Sequence, residues 1–152
     1  MRNLRKKIFA LLLVGVMVLS SSMTAFAGTV TRTVYVGTVE VTENTSISSY
    51  SLAIDSKTKN SAKLESIEHK ITVTYRASNR GYIQTNTSTL TYSATNTSAL
   101  YTNINLDTLM ELHGGSNNPY FSVLGLIEAT ITTTYKLDDG NYTVSTYTVQ
   151  AN

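Results

Sequence analysis

The side chains through which this chain could do chemistry are two histidines, ten carboxylates, many serines and ten tyrosines; it has no cysteine. Neither His69 nor His113 belongs to a spaced ligand set such as H-E-x-x-H, and G-x-S-x-G is absent. A general base needs an orienting partner, and none can be assigned from sequence to His69, which alternates in phase with Ile67, Ile71 and Val73. It therefore reads as a structural histidine on an apolar face. His113 reads as a cation at a helix end, favoured by the dipole.

A glycosidase needs two carboxylates about 5–10 Å apart. The acidic residues Glu40, Glu43, Asp55, Glu65, Glu68, Asp107, Glu111, Glu128, Asp138 and Asp139 are scattered, and most read as solvated positions. Asp138, Asp139 and Asn141 cluster oxygen ligands, but D-D-G-N lacks the spacing of a calcium loop and suits a hairpin turn. No catalytic residue, cofactor or metal is predicted. Tyrosine can stack on a sugar or anchor a protein partner, and it also packs well in strands. Tyr75, Tyr135, Tyr147 and Tyr50 share phase with apolar neighbours and read as core. Tyr82, Tyr92, Tyr101 and Tyr120 are less determined by their neighbours and are the candidate ligand-binding residues.

The elements that must position these side chains read as strands. Ile67, His69, Ile71, Val73, Tyr75 and Ala77 alternate with Glu68, Lys70, Thr72, Thr74 and Arg76. Phe121, Val123, Ile127, Ala129, Ile131, Tyr135 and Leu137 form a second alternating set. Period 2 with one polar side is the mark of an antiparallel strand with one wet face. Strands are expected at 29–42, 47–54, 66–77, 82–92, 99–104, 121–137 and 142–150. TVYVGTVEV and YTVSTYTV change phase midway, which predicts β-bulges near Gly37 and near Ser145–Thr146, with a strand break or bend as the rival. Ser78-Asn79-Arg80-Gly81 and Asp138-Asp139-Gly140-Asn141 have hairpin chemistry. Residues 55–65 read as a charged connector, with room for a helical turn. Asp107–His113 reads as one short helix closed by Gly114, with a continued strand as the rival. The fold class is all-β: an antiparallel sandwich of about seven strands, or alternatively a small closed barrel.

Residues 1–27 read as a signal peptide. Arg2, Arg5, Lys6 and Lys7 precede the apolar run IFALLLVGVMVL, and Ala25-Phe26-Ala27 supplies a small-x-small cleavage site of bacterial type. The apolar run is shorter than the roughly 20 residues of a membrane span, which argues against an uncleaved anchor, and with no second apolar segment no stable span is expected after cleavage. Removal of the four leader cations leaves 8 basic against 10 acidic residues, which removes any electrostatic case for nucleic acid. Residues 28–152 then form a single domain, without the cysteine or the LPxTG-like motif of a covalent anchor. Four N-x-S/T sequons, at Asn44, Asn86, Asn96 and Asn141, suit chance in a Thr- and Ser-rich chain. The expected function is a secreted, non-enzymatic β-sandwich acting by binding or structural contact, on a glycan or a surface protein. The alternatives are a carbohydrate-binding module that uses exposed Tyr, a secreted antibacterial or membrane-active β protein, and, last, a hydrolase.

Overall fold

The structure, a computed structural model, describes residues 18–19 and 26–152. The predicted leader lies outside the described residues except for two dipeptides. Eight strands follow it: β1 (Thr29–Val36), β2 (Val39–Ile47), β3 (Ser51–Thr58), β4 (Leu64–Asn79), β5 (Tyr82–Thr97), β6 (Ala99–Asn105), β7 (Phe121–Lys136) and β8 (Tyr142–Gln150). They form two antiparallel four-stranded sheets of order β1-β2-β3-β6 and β8-β7-β4-β5, a sandwich-like all-β architecture. The dipeptides Val18–Leu19 and Phe26–Ala27 pair in parallel with β8.

Period 2 makes each sheet bury one face. In β4, Ile67, His69, Ile71, Val73, Tyr75 and Ala77 are buried, as the alternation predicts. The helix is also present, as α1 (Leu106–Glu111). Its N-cap is Asn105, whose Oδ1 accepts from the backbone N–H of Thr108 at 2.8 Å. Gly114 follows at φ 96°, in the left-handed conformation expected of a closing glycine. Residues 55–65 contain the helical turn for which the sequence leaves room, a single 3-10 turn at Lys59–Ser61, but the connector is shorter than expected because β3 runs on to Thr58 and β4 begins at Leu64.

Neither expected bulge is present. Gly37 and Thr38 form a two-residue hairpin between Val36 and Val39, so residues 29–42 are two strands. Gly37 takes φ 57°, the positive value needed at the first position of such a loop. The register of β8 on β7 is unbroken from Tyr142–Lys136 to Gln150–Glu128. Its phase change arises because Thr143 and Ser145 point inward while Tyr142 faces out. The hydrophobic pattern slips there, and the backbone does not.

The irregularities lie in β7 instead. Thr74 faces Glu128 but Tyr75 faces Leu126; Arg76 faces Gly125 but Ala77 faces Val123. Ile127 and Leu124 are thus extra residues, and two slips restore the original phase. Leu126 takes the buried place that alternation assigns to Ile127. The Leu126 N–H donates to Ser49 O, in the β2–β3 turn of the other sheet, at 2.9 Å. A Cβ on Gly125 would stand 3.3 Å from the same carbonyl, so a side chain there would crowd this link between the sheets.

Candidate functional site

One level of the sandwich interior is polar. β1 contributes Arg32, β2 Glu43, β3 Ser56, β4 His69, β6 Thr102, β7 Thr133 and β8 Ser145, all at inward-facing positions. This layer lies between two apolar clusters. Ile47, Leu52, Ile54, Ile71, Ile104 and Ile131 belong to the larger one, and Val34, Val36, Val41, Leu64, Ile67 and Tyr135 to the smaller.

Apart from Ser145, whose buried Oγ has no hydrogen-bond partner among the described residues, the layer is tied together by a directed chain of hydrogen bonds. Tyr135 OH donates to Glu43 Oε2 at 3.0 Å, which uses its only proton. Ser56 Oγ, 3.0 Å from that phenol, must therefore donate to it. Ser56 then has to accept from His69, whose Nε2 lies 2.8 Å away. A neutral imidazole protonated at Nε2 accepts at Nδ1, where Thr102 Oγ1 donates at 2.8 Å. On the other oxygen, Glu43 Oε1 accepts from Tyr147 OH at 2.7 Å and Thr133 Oγ1 at 3.0 Å. By the same counting Thr45 donates to Tyr147 OH. The Arg32 guanidinium lies over the Tyr147 ring, 4.6 Å from its centroid, and Arg32 is the register partner of Glu43.

Burial governs the protonation of these groups. It lowers the His69 pKa to about 4. Burial, and after it the Glu43 carboxylate, pushes the Tyr135 and Tyr147 phenols up. Glu43 is the clear exception to a reading of the carboxylates as solvated, because it is wholly buried. Ser56 and His69 have the spacing of a nucleophile and its base. Both are wholly buried, however, and the group orienting His69 is a hydroxyl rather than a carboxylate. This arrangement can fix the imidazole tautomer and the register of seven strands; it offers no face to a substrate.

His113 follows α1 and is held by its neighbours. Its Nε2 lies 2.6 Å from Tyr75 OH, and its ring stacks on Phe121 at 4.3 Å between centroids. In the β7–β8 turn the Asp139 carboxylate accepts from the Asn141 backbone and side-chain N–H groups at 2.9 and 2.8 Å, the expected hairpin chemistry.

The accessible site lies at one end of the sandwich. Arg80 and Gly81 form the two-residue loop between β4 and β5, with φ 50° and 85°. Such a loop holds the two strands in regular pairing to their ends and sets Asn79 beside Tyr82. The Arg80 N–H donates to Tyr120 O at 2.8 Å, which ties the loop to the segment before β7. Between them is a groove of about 560 Å³, lined by Asn79, Arg80, Tyr82, Gln84, Asn118 and Tyr120. Tyr82 is 79% exposed and Tyr120 64%, and the Arg80 guanidinium lies 5.8 Å from the Tyr120 ring centroid. Three side-chain amides supply donors and acceptors in pairs. A second cleft, of about 410 Å³, lies by the β7 bulges, where Ile83, Leu124 and Arg76 line it.

The structure brings together two of the four sequence-predicted tyrosines, Tyr82 and Tyr120. Tyr101 is exposed on the outer face of the other sheet, opposite Asp55, and does not line the groove. Tyr92 is half-buried against the larger apolar cluster, and burial raises its pKa. Tyr50, read as core, is 71% exposed, because it sits in the β2–β3 turn rather than in the strand of Leu52 and Ile54. Asn79, Arg80, Gln84 and Asn118 were not singled out by sequence reasoning; Arg80 and Asn79 carried a signal only as turn residues. No protein-family model and no curated protein matches this chain.

Proposed function

We propose that this chain is a secreted, non-enzymatic β-sandwich that acts by binding outside the cytoplasm, and that its ligand is a glycan held in the Tyr82–Tyr120 groove. One observation carries the reading: two exposed tyrosines flank a groove whose other side chains are amides and a guanidinium. Sugars present apolar C–H faces that stack on aromatic rings, and hydroxyl groups that pair with planar polar side chains. The burial of Ser56 and His69 supports the non-enzymatic part of the proposal, and the sequence of residues 1–27 supports export.

Electrophoresis of the protein through gels carrying cell-wall or plant polysaccharides tests the ligand class. Retardation by at least one polysaccharide is expected. Tyr82→Ala and Tyr120→Ala should each weaken binding about 30-fold, the effect of losing an aromatic anchor worth about 2 kcal/mol. Tyr101→Ala should leave binding unchanged. Equal migration in every gel, or equal loss with Tyr101→Ala, would remove the glycan reading. Export is tested separately: protein from the culture medium should begin at Gly28 by mass spectrometry, and an intact Met1 would contradict it.

A further inference from the structure

We infer that β5 is a self-association edge, across which two copies of this chain pair antiparallel into one continuous sheet. Among the described residues β5 is the last strand of its sheet, and it pairs with β4 without interruption from Tyr82 to Thr95; Asn96, at φ 48°, leaves the ladder. Its outer edge therefore offers a row of backbone N–H and C=O groups to any matching strand. Edge strands are usually kept from pairing by lysine, inward charge, proline, bulges or short length. The sequence of β5, YIQTNTSTLTYSATNT, has no charged residue and no proline, and its register on β4 shows no slip between Tyr82 and Thr95.

The strand also fits itself. Its even-numbered residues from Asn86 to Ala94 face the sandwich interior, where Leu90 and Tyr92 are half-buried against the core. Thr85, Thr87, Thr89 and Thr91 are on the exposed face. An antiparallel pair centred on Leu90 sets Leu90 against Leu90, Tyr92 against Ser88, Thr89 against Thr91 and Thr85 against Thr95. Inner residues then meet inner ones, and the outer threonine rows continue across the junction. Thr72 already shares a hydrogen bond with Thr89 at 3.1 Å, so the row would run from one copy's β4 to the other's.

Charge permits this pairing. The charged neighbours of β5 are Glu68, Lys70 and Arg76 of β4, opposite Ser93, Thr91 and Thr85. In the Leu90-centred register none of them meets a like charge directly. A ladder from residue 85 to residue 95 is roughly 35 Å long in a sheet about 10 Å thick, or on the order of 350 Å² per copy. The total, about 700 Å², is the size of a weak, reversible contact, so the dimer should form only towards the upper end of the micromolar range. A two-fold axis makes the contact isologous and closed, so it ends at a dimer. Tyr82 stays outside the ladder, and the inference does not depend on the glycan reading.

Sedimentation of the purified protein between about 1 and 100 µM tests it. A shift from monomer to dimer is expected over that range. Thr89→Lys with Thr91→Lys places lysines opposite each other across the axis on an exposed face, and should leave a monomer with an unchanged circular dichroism spectrum. Because the chain has no cysteine, Leu90→Cys should give a disulfide-linked dimer under mild oxidation, and Thr85→Cys, which faces Thr95, should not. A monomer at 100 µM, a dimer indifferent to the lysines, or linkage in the Thr85→Cys variant but not in the Leu90→Cys variant would each overturn the inference.

Discussion

Glu43→Ala should destabilise the fold by about 3–5 kcal/mol, the usual cost of removing one partner from a buried charged network. The carboxylate is wholly buried and accepts from Tyr135, Tyr147 and Thr133. Its loss leaves three hydroxyl donors without an acceptor, opens a cavity and removes the carboxylate from the position paired with Arg32. For a domain of this size the melting temperature should fall by roughly 10–20 °C. Glu43→Gln is the sharper test. An amide keeps the volume but replaces one acceptor oxygen with a donor. Tyr135 already accepts from Ser56, so the amide nitrogen cannot face it unless the Ser56–His69–Thr102 chain reverses. A loss of about 1–3 kcal/mol is therefore expected, between wild type and the alanine variant. Denaturant midpoints measure both. A Glu43→Ala protein that melts within a few degrees of wild type would mean that the polar layer does not hold the sheets in register.

Much of this layer was legible one strand at a time, and its assembly was not. Alternation puts His69 on the face of Ile67 and Ile71, where the structure has it. The same parity puts Glu43 between Val41 and Ile47, yet an acidic side chain in a Thr-rich strand argues for the wet face. What reverses that argument is a set of donors from β7 and β8, about ninety to a hundred residues away. Local pattern holds no information about them. The groove has the same character. Tyr82 and Tyr120 were both open to an exposed role, but their meeting depends on the Arg80–Tyr120 link between a hairpin loop and a distant segment. Misreadings came where one signal has two backbone solutions. A glycine at a phase change marks a bulge or a tight hairpin, and Gly37 forms the hairpin. A tyrosine in phase with Leu52 and Ile54 belongs to their strand only if the strand has already begun, and Ser48–Ser51 is still a turn.

The polar layer should also make stability depend on pH through His69. Burial favours the neutral imidazole and sets its folded pKa near 4, against 6.5 for the free side chain. Between those values the unfolded chain takes up a proton that the folded chain refuses. Stability from this residue is thus complete above about pH 6.5, declines as pH falls, and is lost by about pH 4. At about 1.4 kcal/mol per unit the full loss is on the order of 3 kcal/mol. Carboxylates titrate at the lower end of the window, so the comparison has to be made with a variant that cannot titrate. His69→Gln keeps one donor and one acceptor near Ser56 and Thr102 and carries no proton equilibrium. Urea midpoints at pH 7.5, 5.5 and 4.5 should fall more steeply for wild type than for His69→Gln, with most of the difference developing below pH 6. Above pH 7 the two curves should run parallel. Nitrogen NMR of the imidazole supplies a second readout, since the hydrogen-bond chain requires Nε2 protonated and Nδ1 bare throughout pH 5–8. Parallel curves down to pH 4.5, or an Nδ1-protonated ring at neutral pH, would show that His69 is not held as the structure holds it. The direction of every hydroxyl from Thr102 to Glu43 would then have to be redrawn.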